Sequence, residues 1–170
     1  GGAFDTDYKS KSRNLSFQTK NYLAHDTFYR DENPNRKKTR WRLQGVGKTE
    51  SEDKNTTALI RYDYISDRNM PSDFQTDDFE LNTAQRTELF VNHIHPNVVS
   101  DLYVRPNINK FQGFKQQLPT IRFGLHPVEF GTSKIMMNNA ISASFLDYEY
   151  PKDLGIQLPG FQSARVESDQ

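Results

Sequence analysis

The chain has 170 residues, and its 22 Lys and Arg are matched by 22 Asp and Glu, so it carries no net charge. That length is one domain or a piece of a larger one, and the charge balance argues against a nucleic-acid binder, which carries a basic excess. Hydrophobic residues are 34% of the chain, below the ~45–50% of soluble domains, aromatics are 12%, and cysteine is absent, which excludes a disulfide framework, a thiolate metal site and a cysteine nucleophile.

No apolar run approaches the ~18 residues of a transmembrane helix, whereas a β-barrel span needs only ~10 alternating residues and stays open. Residues 1–11 open on Gly1-Gly2 and are polar; they read as a loose end, a cloning remnant or an arbitrary cut. Residues 13–24 alternate, with Leu15, Phe17 and Thr19 on one side and Ser16, Gln18 and Lys20 on the other, which predicts a strand. Residues 25–38 form a polar loop with Asn33-Pro34-Asn35 and the run Arg36-Lys37-Lys38. Residues 39–50 are a second strand, Trp41, Leu43, Gly45 and Gly47 opposing Arg40, Arg42, Gln44 and Lys48. A charged turn at 51–54 makes it a hairpin with the next strand.

That next strand places Ala58, Ile60, Tyr62 and Tyr64 on one face and Leu59, Arg61, Asp63 and Ile65 on the other. It runs into loop chemistry at Ser66-Asp67, Met70-Pro71 and Ser72-Asp73-Phe74, followed by an acidic loop to about residue 84. Residues 85–95 alternate again (Thr87, Leu89, Val91 and His93 against Arg86, Glu88, Phe90 and Asn92), turn at His95-Pro96-Asn97, and return over 98–108. Pro106 marks an edge or a bulge. After a turn about Gly113, residues 117–128 set Ile121, Phe123 and Leu125 against Thr120, Arg122, Gly124 and His126. Residues 135–150 form the last predicted strand, and 151–170 an irregular tail with further Pro and Gly.

The fold predicted over 12–150 is all-β: an antiparallel up-and-down meander of about seven strands, each of roughly 10–12 residues. Such strands exceed the ~5–6 residue mode of soluble sheets and match the ~9–11 residues of a tilted membrane-spanning strand. Long loops at one end and short turns at the other fit the same architecture.

Several constellations have a functional and a plain reading. His93 and His95 share a strand face at a spacing that metal sites use, yet no Cys and no organised carboxylate accompanies them, so no metal is expected. His126 reads as an ordinary polar-face residue. The carboxylates Asp63, Asp67, Asp73, Asp77 and Asp78 lack calcium-loop spacing; they read as a solvated loop in which Asp67 and Asp73 make Asx turns, with bridging of divalent ions to lipid phosphates as the functional alternative. Arg36, Lys37, Lys38, Arg40 and Arg42 read as a solvated charge run rather than a phosphate site. Gly45-Val46-Gly47 is no phosphate loop; inside a strand it reads as a bulge or a close approach. No nucleophile–base arrangement appears, so an enzyme is not expected and no cofactor is assigned.

Certain of these stretches resemble a known family. The segments Asn21-Tyr22-Leu23, Tyr29 to Asn35 and Arg40-Trp41, then Asp63-Tyr64, Ser66-Asp67 and Asp73-Phe74, then Leu118-Pro119-Thr120-Ile121-Arg122-Phe123, resemble in order and spacing the LptD family of lipopolysaccharide-assembly outer-membrane proteins, also called organic solvent tolerance proteins. Within the resemblance Tyr64, Ser66, Asp67, Asp73, Phe74, Leu118 and Pro119 are structural motif residues, and Arg61 and Asp63 are expected to face a polar lumen. The resemblance implies an internal stretch of a barrel in the cell outer membrane of a Gram-negative bacterium. It implies contact with outer-membrane lipid, lipopolysaccharide as cargo, and a lipoprotein plug of the same translocon as partner. It also implies that the lipid-conducting jellyroll, the gate strands and the cross-linking cysteines lie elsewhere in the parent. The competing expectation is a soluble all-β barrel or sandwich that binds a lipid or carbohydrate.

Overall fold

The computed structural model describes residues 1–12, 14–26, 38–109, 111–129, 131–132, 136–151 and 159–169, apart from 75–85. Among these residues nine strands form one antiparallel sheet in strict up-and-down order: β1 (Gly2–Ser10), β2 (Leu15–His25), β3 (Thr39–Glu50), β4 (Thr56–Ile65), β5 (Glu88–His95), β6 (Val98–Arg105), β7 (Phe114–Leu125), β10 (Ala140–Glu149) and β11 (Phe161–Asp169). Two short strands, β8 (Val128–Glu129) and β9 (Met136–Met137), pair with each other in the β7–β10 connection. A single-turn helix, α1 (Met70–Phe74), follows β4.

The predicted meander is present, and it is longer at both ends than the sequence suggested. Residues 1–11, expected to be loose, hold β1, paired to β2 from Gly2 opposite Leu23 to Ser10 opposite Leu15. The tail expected to be irregular holds β11, paired to β10 along its length. Both strands lack a strong apolar alternation of their own, and the ladder of a neighbouring strand supplies the order. Met70–Phe74 was expected as loop and makes one helical turn, since Pro71 and Asp73 suit a first turn. The last predicted strand begins at Ala140 rather than 135.

Because side chains alternate along a strand, the register assigns every strand residue to a face. Leu23, Trp41, Leu43, Tyr64 and Ile60 fall on the same side as Leu89, Leu102, Ile121, Phe123 and Ile141. The predicted apolar sets of the individual strands therefore join into one face. The other face carries Asp5, Lys20, Arg40, Arg42, Arg61, Asp63, Glu88, Asp101, Arg122, Arg165 and Glu167. Among described strand residues of the large sheet, only Asp147 and Glu149, at the loop end of β10, break the separation of charge.

Burial is inverted relative to a soluble domain. Among the described residues the buried apolar side chains are Ala24, Ile65, Met70, Pro71 and Leu146, outnumbered by buried polar ones that include Arg40, Arg42, Asp63 and Asn109. Large apolar side chains lie outside instead. Of the seventeen exposed ones among the described residues, twelve belong to the apolar face, including Phe4, Leu43, Ile60, Phe123 and Ile141. Most of the rest sit on the polar face or in the small hairpin. Soluble monomers rarely expose contiguous apolar patches beyond a few hundred Å².

Gly45 and Gly47 are the close approach expected of them, with the β3 register unbroken through both. A Cβ on Gly45 would run into the Tyr62 ring, and one on Gly47 would lie 2.9 Å from Ile60 Cγ2 and 3.0 Å from Phe17 Cδ2. The two glycines are the floor on which these apolar-face side chains lie.

Candidate functional site

A tightly bonded centre lies where the polar face meets the long-loop end of β3 and β4. Arg40 and Arg42 alternate onto this face from β3, and Asp63 joins them from β4. The chain after β4 then folds back across the face. Ser66 N–H donates to the Trp41 carbonyl at 2.9 Å, and Trp41 N–H donates to Ser66 Oγ at 3.1 Å, which fixes the exit of the strand.

Arg40 is fully buried and holds that segment. Its Nε and Nη2 donate to Asp67 Oδ2 and Oδ1 at 2.9 and 2.7 Å, a bidentate fork, while Nη1 donates to Asp73 Oδ2 at 2.6 Å and lies 3.5 Å from Asp26. The Phe74 ring covers the guanidinium at 5.0 Å and meets Tyr22 at 6.0 Å. Burial works against the ionised form of Asp67, but hydrogen bonds from Arg40 and Ser66, with the Arg40 charge and the Asn69 N–H, outweigh it and hold the carboxyl below the ordinary aspartate range. Two residues along β3, on the same face, Arg42 donates to Asp63 at 3.0 and 2.8 Å. Asn109 ties this layer to the β6–β7 connection, donating to the Asp63 carbonyl at 2.8 Å and accepting from Ile65 N–H at 3.2 Å.

Asp67, Asp73 and Phe74 thus come together through Arg40, and Ser66 joins them by donating its hydroxyl to Asp67 at 2.8 Å. Asp67 does make the expected Asx turn, accepting from Asn69 N–H at 3.1 Å. The reading of Arg40 and Arg42 as part of a solvated charge run is corrected: both are buried, because strand alternation turns them onto the face that the Asp67–Asp73 segment covers. The complementary signal, two Arg on β3 and three Asp on β4 and after it, was present in the sequence. Arg36 and Lys37, the segment Tyr29 to Asn35, and Asp77 and Asp78 lie outside the described residues. Tyr64 points to the apolar face and packs edge-on to Trp41 at 4.6 Å.

Arg61 and Asp63 share the polar face, as expected. Arg61 is half-exposed and lies 3.3 Å from Glu88, whereas Asp63 is buried against Arg42. Together with Lys20, Gln44 and Arg86 they line an open groove of about 410 Å³ midway along the polar face.

Leu118 and Pro119 are remote from this centre. They form a bulge in β7: Thr120 and Gln117 pair with Tyr103 and Arg105 on one side, and with Ser144 and Leu146 on the other, so two β7 residues oppose one on each neighbour. Proline has no N–H to give a ladder, and a bulge asks for none. His93 and His95 share the apolar side at the short-turn end; His93 Nδ1 is engaged with Thr56 Oγ1 at 2.8 Å. Among the described residues no three His, Asp or Glu side chains converge as metal ligands.

No protein-family model matches this chain, and no curated protein or solved structure is significantly similar to it. The functional reading therefore rests on the residues and their geometry.

Proposed function

We propose that the chain is a segment of an outer-membrane β-barrel of the lipopolysaccharide-assembly (LptD) family, part of the translocon that inserts lipopolysaccharide into the outer leaflet. The observation that carries the membrane part is the separation of faces. Apolar side chains run from β1 to β11 on one face with nothing among the described residues packed over them, and the charges lie on the other. Lipid satisfies such a face, and a polar lumen satisfies its reverse. The strand lengths agree, since β2, β3, β4, β7 and β10 have 10 to 12 residues. The free edges of β1 and β11 would pair with further strands of the parent barrel, where closure removes the edges. Trp41 and Tyr64, near the long-loop end of the apolar face, suit an interfacial aromatic girdle. The lipopolysaccharide part rests on the motif resemblance, and its partner would be the lipoprotein plug of the same translocon.

Trp41 is the only tryptophan, which makes the membrane part directly testable. In vesicles containing brominated phospholipid, its fluorescence should be blue-shifted and quenched by the bromine while resisting aqueous iodide. Iodide quenching without bromolipid quenching would place the face in water and favour a soluble sheet. The cargo is tested by depleting the parent gene in its host: lipopolysaccharide should fail to reach the cell surface, as measured by labelling of intact cells.

A further inference from the structure

We propose that the groove on the polar face is an anion site that takes the phosphate groups of a phosphorylated glycan or glycolipid headgroup. This deepens the reading above, whose cargo is such a lipid, and stands on separate geometry. Lys20, Arg42, Arg61 and Arg86 line the groove against the single carboxylate of Asp63, a local cationic excess in a chain whose net charge is zero. The four cations are not equivalent. Arg42 is locked in its bidentate pair with Asp63 and forms a fixed wall. Arg61 holds Glu88 through one 3.3 Å contact and is half-exposed, so it can swing to a better acceptor. Lys20 and Arg86 are exposed and make no ion pair among the described residues, although Asp5 stands opposite Lys20 in the β1–β2 register.

Three of the cations are therefore available, on β2, on β4 and two residues ahead of β5, on both sides of the Arg42–Asp63 wall. A phosphate offers three acceptor oxygens and more than one negative charge, which matches donors converging from several strands better than a single carboxylate does. A volume of about 410 Å³ holds a phosphorylated sugar and excludes a whole acyl-chain lipid, so the lipid tails would remain outside the groove. Being open, the site should weaken as salt is raised.

The test uses the chain in detergent micelles and three probes: a diphosphorylated glucosamine glycolipid, the same lipid after dephosphorylation, and inorganic pyrophosphate. Affinities come from calorimetry, compared between the native chain, Lys20→Gln/Arg86→Gln, the charge-conserving Lys20→Arg, and Lys115→Gln as a polar-face control outside the groove. The phosphorylated lipid should bind at least tenfold more weakly to the double variant, and with nearly native affinity to Lys20→Arg and Lys115→Gln. Pyrophosphate binding as tightly, with the same dependence on variants, would identify the source as free phosphates and keep the anion site. Equal affinity for the dephosphorylated lipid, or equal loss in Lys115→Gln, would overturn the proposal. Failure of the Trp41 bromolipid experiment with groove binding intact would remove the membrane reading and leave the anion site standing.

Discussion

Ile60 and Val46 lie beside one another in space, on opposite faces, because Ile60 pairs with Gly47 and Arg61 with Val46. Their exposures are nearly equal, 44% and 39%. In water a lysine at either site would be an ordinary surface change, within about 0.5 kcal/mol of neutral. In a barrel the two sites part company. Ile60 is the fifth of the ten β4 residues, mid-height on the apolar face, where a lysine facing lipid costs ~2–4 kcal/mol. That is roughly a 30- to 700-fold change in the folding equilibrium. Val46→Lys would face the lumen and meet Arg61 across the ladder, a like-charge contact of at most ~1 kcal/mol. Urea titration in phospholipid vesicles, followed by Trp41 fluorescence, should therefore show a large loss for Ile60→Lys and a small one for Val46→Lys. Losses within about 0.5 kcal/mol of each other would refute the assignment of the apolar face to lipid.

Replacing Arg40 with Met takes the guanidinium away from Asp67, Asp73 and Asp26. Breaking a buried ion pair costs ~3–5 kcal/mol, but Asp67 and Asp73 are 18% and 34% exposed and rehydrate, so roughly 2–3 kcal/mol is expected. Amide exchange at Ser66, Met70 and Asp73 should speed up by about 30- to 150-fold, and unchanged exchange there would sink the idea that Arg40 holds this segment. Acid should release the same segment. The Asp67 carboxyl titrates below its unfolded value of ~3.9, so its stabilisation is complete above that pH and is lost as pH falls through the lower folded value. Protection of residues 66–74 should thus decline only below about pH 4, and a transition near pH 6 would point to another group. Gly45→Ala should destabilise by ~1–3 kcal/mol through its clash with the Tyr62 ring, most of it recovered by adding Tyr62→Ala; failure of that rescue would mean the glycine serves another purpose.

The meander was legible because its interior strands have one-sided alternation, as in Ala58, Ile60, Tyr62 and Tyr64 against Arg61 and Asp63. The edge strands were not. Phe4 and Tyr8 in β1 and Val166 in β11 sit among polar residues, and Phe161 falls on the face opposite Val166, so period 2 is faint in each strand alone and only pairing assigns the faces. The Arg40 centre was half legible. Its acids were picked out as motif residues, but the arginine that unites them lies 27 and 33 positions away from Asp67 and Asp73. Such pairing follows from the fold-back after β4, which no local pattern encodes. The groove was invisible for a related reason, since its four cations come from β2, β3, β4 and the residues just ahead of β5.

The bulge at Leu118-Pro119 has a meaning for β7 as a whole. Above it, odd-numbered residues such as Ile121 and Phe123 face the apolar side; below it, odd-numbered Gln117 faces the polar side and Lys115 follows. The strand carries one residue too many for a single phase, and the bulge absorbs it like a frameshift corrected on the spot. Without it Lys115 and Gln117 would rotate toward the apolar side, and Gln116 would lose its bonds to Asp147 and to the Asn107 N–H. Every other interior position of β7 has an N–H to lose from the ladder. Pro119 has none, so the proline sets the point along β7 at which the phase changes.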